Sequence, residues 1–169
     1  MFKQPDMCKD FTDTLITDFT APAFQTAFRQ YFAEIGIEVK DWDGLFREMN
    51  QGNEGQKNAA YVRMTEDGGM IGFIQFIPIR FSSWFFEGRC GFIREFWVAE
   101  QFRDQGHGSG LIALAERYFL EHGIGASILT TDTAGHFYER HGYGRAPECE
   151  AKNHDEVFVK RLTQKEGLG

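Results

Sequence analysis

Residues 103 to 111 read Arg-Asp-Gln-Gly-His-Gly-Ser-Gly-Leu, and a strongly apolar stretch begins at their end. Glycine inside a helix costs roughly 0.5–1 kcal/mol relative to alanine, so Gly106, Gly108 and Gly110 at the mouth of a helix need a reason. Backbone N–H groups at a helix N-terminus have no internal partner, and the helix dipole adds about half a positive charge there. Without side chains in the way, an anion can approach those groups closely. A strand, a Gly-rich turn and a helix in succession therefore form a phosphate cradle. A P-loop would place Gly-Lys-Ser/Thr after the glycines, and no lysine lies there. A dinucleotide fingerprint needs G-x-G-x-x-G and a strand-end acid about 20 residues on. This chain has G-x-G-x-G, and Glu121 falls on the helix. The plainer alternative is a tight turn with close helix packing.

The elements around this segment can be read from periodicity. A first strand is expected over 14–19. Pro22 suits a helix start, and Phe24, Ala27, Phe28, Tyr31, Phe32 and Ile35 follow at helical spacing. A second short helix is expected over 42–49, then a turn-rich loop over 50–58. Strands are expected over 59–66, 70–79 and 91–100, with Asp67-Gly68-Gly69 as a hairpin turn. Pro78 should sit at a bulge or a ladder gap, because it donates no hydrogen bond. The aromatic-rich segment 81–88 is expected to be a turn or a strand extension. Leu111, Leu114, Ala115, Tyr118 and Phe119 form one apolar helix face that ends at Gly123. A strand over 126–131, a short helix over 133–142 and a strand over 156–162 complete a mixed α/β fold, read as one domain over 1–169.

Composition narrows the classes of function. The chain has 169 residues, 42% hydrophobic and 25% charged, as in a folded globular protein. Its 18 phenylalanines predict an aromatic core. The net charge of −7 argues against nucleic acid, whose phosphates want a basic patch, and suits a cationic substrate. A polyphosphate would have to be held by local dipoles and a few cations such as Arg103. Cys8, Cys90 and Cys149 show neither disulfide nor zinc spacing and read as inert thiols in a reducing compartment. No secretory h-region and no membrane-length apolar run is present, so a cytoplasmic protein with no membrane partner is expected. No metal is implied.

Two segments carry a more specific resemblance. Arg103-Asp-Gln-Gly-His-Gly108 is similar to the R/Q-x-x-G-x-G/A signature of the GNAT superfamily of acetyl-CoA-dependent N-acetyltransferases. Residues 95–123 resemble that family's fourth strand, pyrophosphate loop and third helix. Residues 128–146 resemble its fifth strand and following helix. The resemblance implies a central, mostly antiparallel, splayed sheet flanked by helices. It implies acetyl-CoA in a split between the fourth and fifth strands, with its pyrophosphate on Gln105, Gly106, His107, Gly108, Ser109 and Gly110. It also implies pantetheine pairing with the backbone of Trp97, Val98 and Ala99, and a tyrosine, here Tyr138, that protonates the leaving thiolate. Asp104 stands where the family often has glycine, His107 where an apolar residue is common, and Thr131 where a CoA-contacting asparagine is frequent.

A base is needed as well, since an alkylammonium of pKa about 10.4 is almost wholly protonated at neutral pH. Glu95 is the carboxylate nearest the splay point, and its neighbours Phe96 and Trp97 could desolvate it and raise its pKa. His107, His136 and His141 are the other candidates. Acidic residues of the two N-terminal helices and of 148–156 could attract a cationic amine, or could simply be a solvated face. The aromatic run Phe81-Ser-Ser-Trp-Phe-Phe86 could line an acceptor groove or a homodimer interface. The expected function is acetyl transfer from acetyl-CoA to a primary amine: a small cationic amine, an aminoglycoside-like compound, a polyamine or a peptide amine. The rival is a catalytically silent acyl-CoA-binding module.

Overall fold

The structure, a computed structural model, describes residues 10–52, 55–82 and 87–163. The chain runs β1 (Phe11–Ile16), α1 (Pro22–Ile35), α2 (Trp42–Asn50), β2 (Ala59–Thr65), β3 (Met70–Ser82), β4 (Glu87–Val98), α3 (His107–Glu121), β5 (Ala126–Thr131), α4 (Gly135–Arg140), β6 (Gly144–Arg145) and β7 (Glu156–Arg161). A short 3₁₀ turn at 100–102 lies between β4 and α3. The strands form one sheet in the order β1-β2-β3-β4-β5-β7-β6. The first four are antiparallel to their neighbours, β4 and β5 are parallel, and β7 is antiparallel to both β5 and β6. The mixed α/β class and the mostly antiparallel sheet flanked by helices are as expected.

Each face of the sheet carries its own core. Phe24, Ala27 and Phe28 of α1, with Phe46 and Met49 of α2, cover one face around Phe73 and Trp97. Leu111, Ile112, Ala115 and Phe119 of α3, with Tyr138 of α4, cover the other around Ile74, Phe76 and Phe158. Phenylalanine supplies most of the largest fully buried side chains, so the aromatic excess is mainly core.

Three boundaries differ from expectation for tertiary reasons. Strand β1 lies at Phe11–Ile16, not 14–19, because it ends where Ile16 meets Ala60 at the start of β2. The chain then turns, with Asp18 accepting from Thr20 N–H at 3.0 Å. Strands β3 and β4 extend each other through the pairs Arg80↔Arg89, Phe81↔Gly88 and Ser82↔Glu87. Residues 83–86, and with them most of the groove or dimer expectation, lie outside the described residues, as does Cys8. Pro78 stays in register with Gly91. Arg80, of the same strand parity, sends its N–H to Gln56 Oε1 at 3.2 Å. The donor that Pro78 lacks thus faces the side beyond the start of β2 at Ala59, a ladder gap.

Two irregularities shape the centre of the sheet. Strands β4 and β5 pair only at Gly91↔Ser127 and Phe92↔Ile128, then diverge. Strand β4 also carries a bulge: Gln75 faces Glu95 and Phe76 faces Ile93, which leaves Arg94 as the extra residue. A bulge reverses side-chain phase. Ile93, Phe96 and Val98 therefore all pack toward α3, whereas Trp97 and Ala99 pack toward α1. Strict alternation from Ile93 would have aimed Glu95 at α3. The bulge turns it to the α1 side.

Candidate active site

Where β4 and β5 part, a cleft of about 720 Å³ opens between the end of β4, the first turn of α3 and α4. Phe96 and Val98 form one wall, Gly106, His107, Gly108 and Ser109 the second, and Phe137, Tyr138, Arg140 and His141 the third.

The three glycines prove to have three different reasons. Gly106 is the N-cap of α3 at φ +85°, in the left-handed region that glycine enters without penalty, and no side chain caps the helix. Without a cap, the N–H groups that begin α3 remain open to an anion. At Gly108 an added Cβ would touch the rings of Phe137 at 3.4 Å and Phe96 at 3.6 Å, so the missing side chain keeps the cleft floor low. Gly110 differs: its N–H bonds to Gly106 O at 3.1 Å, within the first turn. An added Cβ there would lie 2.6 Å from the Arg63 guanidinium. Gly110 is therefore not a cradle donor but a packing position, a correction to the expected set.

The expected pantetheine contacts shift in phase for a related reason. Ala99 N–H bonds to Ile71 O at 2.8 Å. Alternation along an antiparallel ladder then turns the N–H and C=O of Trp97 and Ala99 toward β3, and those of Phe96 and Val98 toward the open side. The Trp97 side chain points away as well, its Nε1–H donating to Glu34 Oε2 at 2.6 Å. Of the three residues expected here, Trp97 and Val98 line the cleft and Val98 turns its backbone N–H and C=O toward it, as does Phe96.

Several polar groups are occupied. Arg103, expected to face the phosphates, donates from Nε to Val98 O at 2.9 Å and pairs through Nη2 with Glu34. Arg140 is the arginine on the cleft wall with no ion pair or hydrogen bond among the described residues, and periodicity gave no signal for it. Gln105 donates to Gln101 O at 3.1 Å and is not on the cleft wall. Thr131 Oγ1 accepts from Ala134 N–H at 3.0 Å, which ties the end of β5 to the turn that precedes α4. Asp104 is exposed on the cleft rim at φ +61°, a conformation that explains why glycine suits the position.

Two of the three candidate histidines are also committed. His107 Nδ1 lies 3.2 Å from Arg63 Nη1; arginine only donates, so Nδ1 accepts. Burial first, and then the Arg63 charge, hold the His107 pKa below its ordinary value. His141 donates from Nδ1 to Phe137 O at 2.7 Å and meets Ser109 Oγ through Nε2 at 2.8 Å. His136 stands in solvent.

Glu95 and Tyr138 lie on opposite faces of β4. Glu95 accepts from Tyr31 Oη of α1 at 2.8 Å. Burial pushes its pKa up, against the pull of the Tyr31 hydrogen bond and of Arg94. Tyr138 is 8% exposed, with its ring near Phe96, Phe137, Tyr143 and Phe158. Its hydroxyl has no hydrogen-bond partner among the described residues, and burial pushes its pKa up to about 12.

The model of the acetyltransferase (GNAT) family matches residues 13–143. The chain belongs to that family of acetyltransferases. No curated protein sequence matches it. Solved structures share the fold. A GNAT-family acetyltransferase from Staphylococcus aureus superposes with TM-score 0.64 at 13% identity, over 90% of this chain and 100% of that one. An aminoglycoside acetyltransferase, meta-AAC0020, from an uncultured soil sample, solved with trehalose, gives 0.64 at 18%, over 85% and 91%. N-acetylglutamate synthase from Neisseria gonorrhoeae, solved with coenzyme A and N-acetyl-glutamate, gives 0.65 at 17%, over 90% of this chain but 36% of that one. Among the described residues no helix is long and apolar enough to cross a membrane, and no group of acidic, His and Cys side chains could hold a metal.

Proposed function

We propose that the chain binds acetyl-CoA in the β4/β5 cleft and passes its acetyl group to a primary amine that attacks the thioester directly. The observation that carries this is the convergence, on one cleft, of an uncapped Gly-started helix and an open strand edge. The N–H groups of His107, Gly108 and Ser109 would hold the diphosphate, with Arg140 the nearest uncommitted cation. The backbone of Phe96 and Val98 would pair with the pantetheine amides. Glu95, on the α1 side, takes the amine proton, and Tyr138, on the α4 side, donates to the leaving sulfur. An acidic chain with a buried carboxylate at the split suits a cationic acceptor: a small amine, an aminoglycoside-like compound, a polyamine or a peptide amine. A thiol-release assay with acetyl-CoA and a panel of such amines tests it. Acetyl-CoA binding without thiol release on any amine would favour the silent binding module instead, a reading to which the negative charge of Asp104 on the rim lends some support.

Two cofactor-side predictions follow from the cleft wall. Replacing Gly108 with valine leaves the backbone donors in place but fills the floor beside Phe137 and Phe96. Calorimetry should show acetyl-CoA binding weakened by at least about tenfold, the scale of one charge-assisted hydrogen bond lost through displacement. Replacing Asp104 with glycine removes a like charge near the phosphates and relieves a left-handed non-glycine residue. Acetyl-CoA should then bind roughly threefold to tenfold tighter at low salt, and the gain should shrink as ionic strength rises. An unchanged dissociation constant would place Asp104 outside the reach of the phosphates.

A further inference from the structure

The first turn of α3 has glycine at its N-cap and at its second and fourth positions, and no capping side chain. Such a turn is intrinsically weak, since glycine is a far poorer helix former than alanine. A rigid array of N–H donors must therefore be held by something outside the helix, and that support lies beneath it. Arg63 of β2 is 5% exposed. Its Nε and Nη2 grip both carboxylate oxygens of Asp13 on the edge strand β1, at 2.7 and 3.0 Å. Its guanidinium lies over the Phe11 ring at 3.9 Å. Its remaining arm, Nη1, reaches His107 Nδ1 at 3.2 Å. The same planar group fills the space that a Gly110 side chain would occupy. The His107 side chain and Gly110 are three apart and meet the Arg63 guanidinium on the inward face of α3, whereas an added Cβ at Gly108 would point to the cleft rings Phe137 and Phe96.

We propose that Arg63 is a positioning residue of the diphosphate cradle: fixed from below by Asp13 and Phe11, it sets the first turn of α3 through His107 and Gly110. The inference rests on the acetyl-CoA reading of the cleft. It explains why a buried cation is placed near an edge strand, and why Gly110 is glycine although it donates nothing to a ligand. The contact also requires a neutral imidazole, because Arg63 can only donate to it. The charged groups that bear on His107 are Arg63 from β2 and Asp13 from β1; the Phe11 and Phe102 rings close the remaining sides. Protonation of His107 removes the acceptor and sets two cations against each other.

The test is a double-mutant cycle read by calorimetry. Gly110→Ala in the parent should raise the acetyl-CoA dissociation constant by about tenfold, because methyl and guanidinium cannot share the space. In an Arg63→Met/Asp13→Asn background, which leaves no unpaired buried carboxylate, Gly110→Ala should change binding less than about twofold. A second measurement uses 3′-dephospho-CoA, which carries no titrating phosphate monoester. For the parent, affinity should fall as the pH drops below the ordinary histidine value of about 6.5, and the Arg63→Met/Asp13→Asn variant should lose that component. The difference between the two curves reports the His107–Arg63 contact, since the two proteins differ only at Arg63 and Asp13. If the parent binds acetyl-CoA but Gly110→Ala costs the same in both backgrounds, or the two pH curves coincide, the positioning role is wrong and the cleft reading stands. If the parent binds no acetyl-CoA, both fall.

Discussion

Glu95→Gln should lower kcat by about 10²–10⁴, the span expected for loss of a general base, while acetyl-CoA affinity barely changes. The geometry separates the two effects. Glu95 is on the α1 side of β4, whereas the cradle and the open strand edge are on the other side of the split. The pH dependence carries further information. The base must be ionised to accept a proton, and burial raises the Glu95 pKa above its ordinary value. The kcat/KM profile should therefore fall on its acidic side at a pH above the normal carboxylate range, and Glu95→Gln should lose that limb. Tyr31 offers an independent handle. Its hydrogen bond pulls the Glu95 pKa down, so Tyr31→Phe should move the acidic limb to higher pH while leaving the base in place. Parental kcat/KM at pH 7 in Glu95→Gln would assign proton removal elsewhere, or mean that the amine arrives neutral.

How far the site could be read from sequence depended on the distance over which each feature is determined. The glycine segment, the apolar face of α3 and the strand–turn–helix order are local, and local periodicity reveals them. The role of Gly110 is not local. It depends on Arg63, a residue on another strand that reads in isolation as one more polar position in an alternating pattern. Arg103 does line the cleft, but its pairing with Glu34, a carboxylate on α1 distant in sequence, could not be read locally. The phase of β4 was the least legible feature. A single extra residue at Arg94 decides which side chains face α1, and one ladder bond from Ala99 to Ile71 decides which backbone groups face the cleft. Neither leaves a mark on the hydrophobic pattern. The same bulge gives Glu95 its place: with regular alternation it would face α3, away from Tyr31.

Tyr138→Phe should lower kcat by roughly tenfold to a thousandfold, in line with the loss of one preorganised donor, and should move the acetyl-CoA dissociation constant less than about threefold. The ring packs against Phe96, Tyr143 and Phe158, contacts that phenylalanine retains. The hydroxyl has no protein partner among the described residues, so its removal leaves no buried group orphaned and should hardly alter thermal stability. Its chemistry is constrained by its pKa. A thiol like that of CoA should ionise near the ~8.5 of cysteine, whereas burial pushes Tyr138 to about 12. Full proton transfer from the phenol to the thiolate is therefore uphill by roughly 5 kcal/mol, so Tyr138 cannot act as a freestanding acid. It can serve as a fixed O–H dipole aimed at the charge that grows on sulfur. That interaction is stronger in the transition state than in the ground state and appears in kcat rather than in binding. The proton that sulfur finally keeps comes from the nitrogen side, because the attacking nitrogen, once bonded to the acyl carbon and still carrying its extra proton, is far more acidic than the phenol. A Tyr138 acting this way should give no basic limb of its own in the pH–rate profile below about pH 10, because it stays protonated throughout. Pre-steady-state and steady-state rates on a confirmed amine decide the matter. Normal kcat in Tyr138→Phe would reduce the residue to core packing, and a collapse of acetyl-CoA binding at unchanged kcat would make it a cofactor contact.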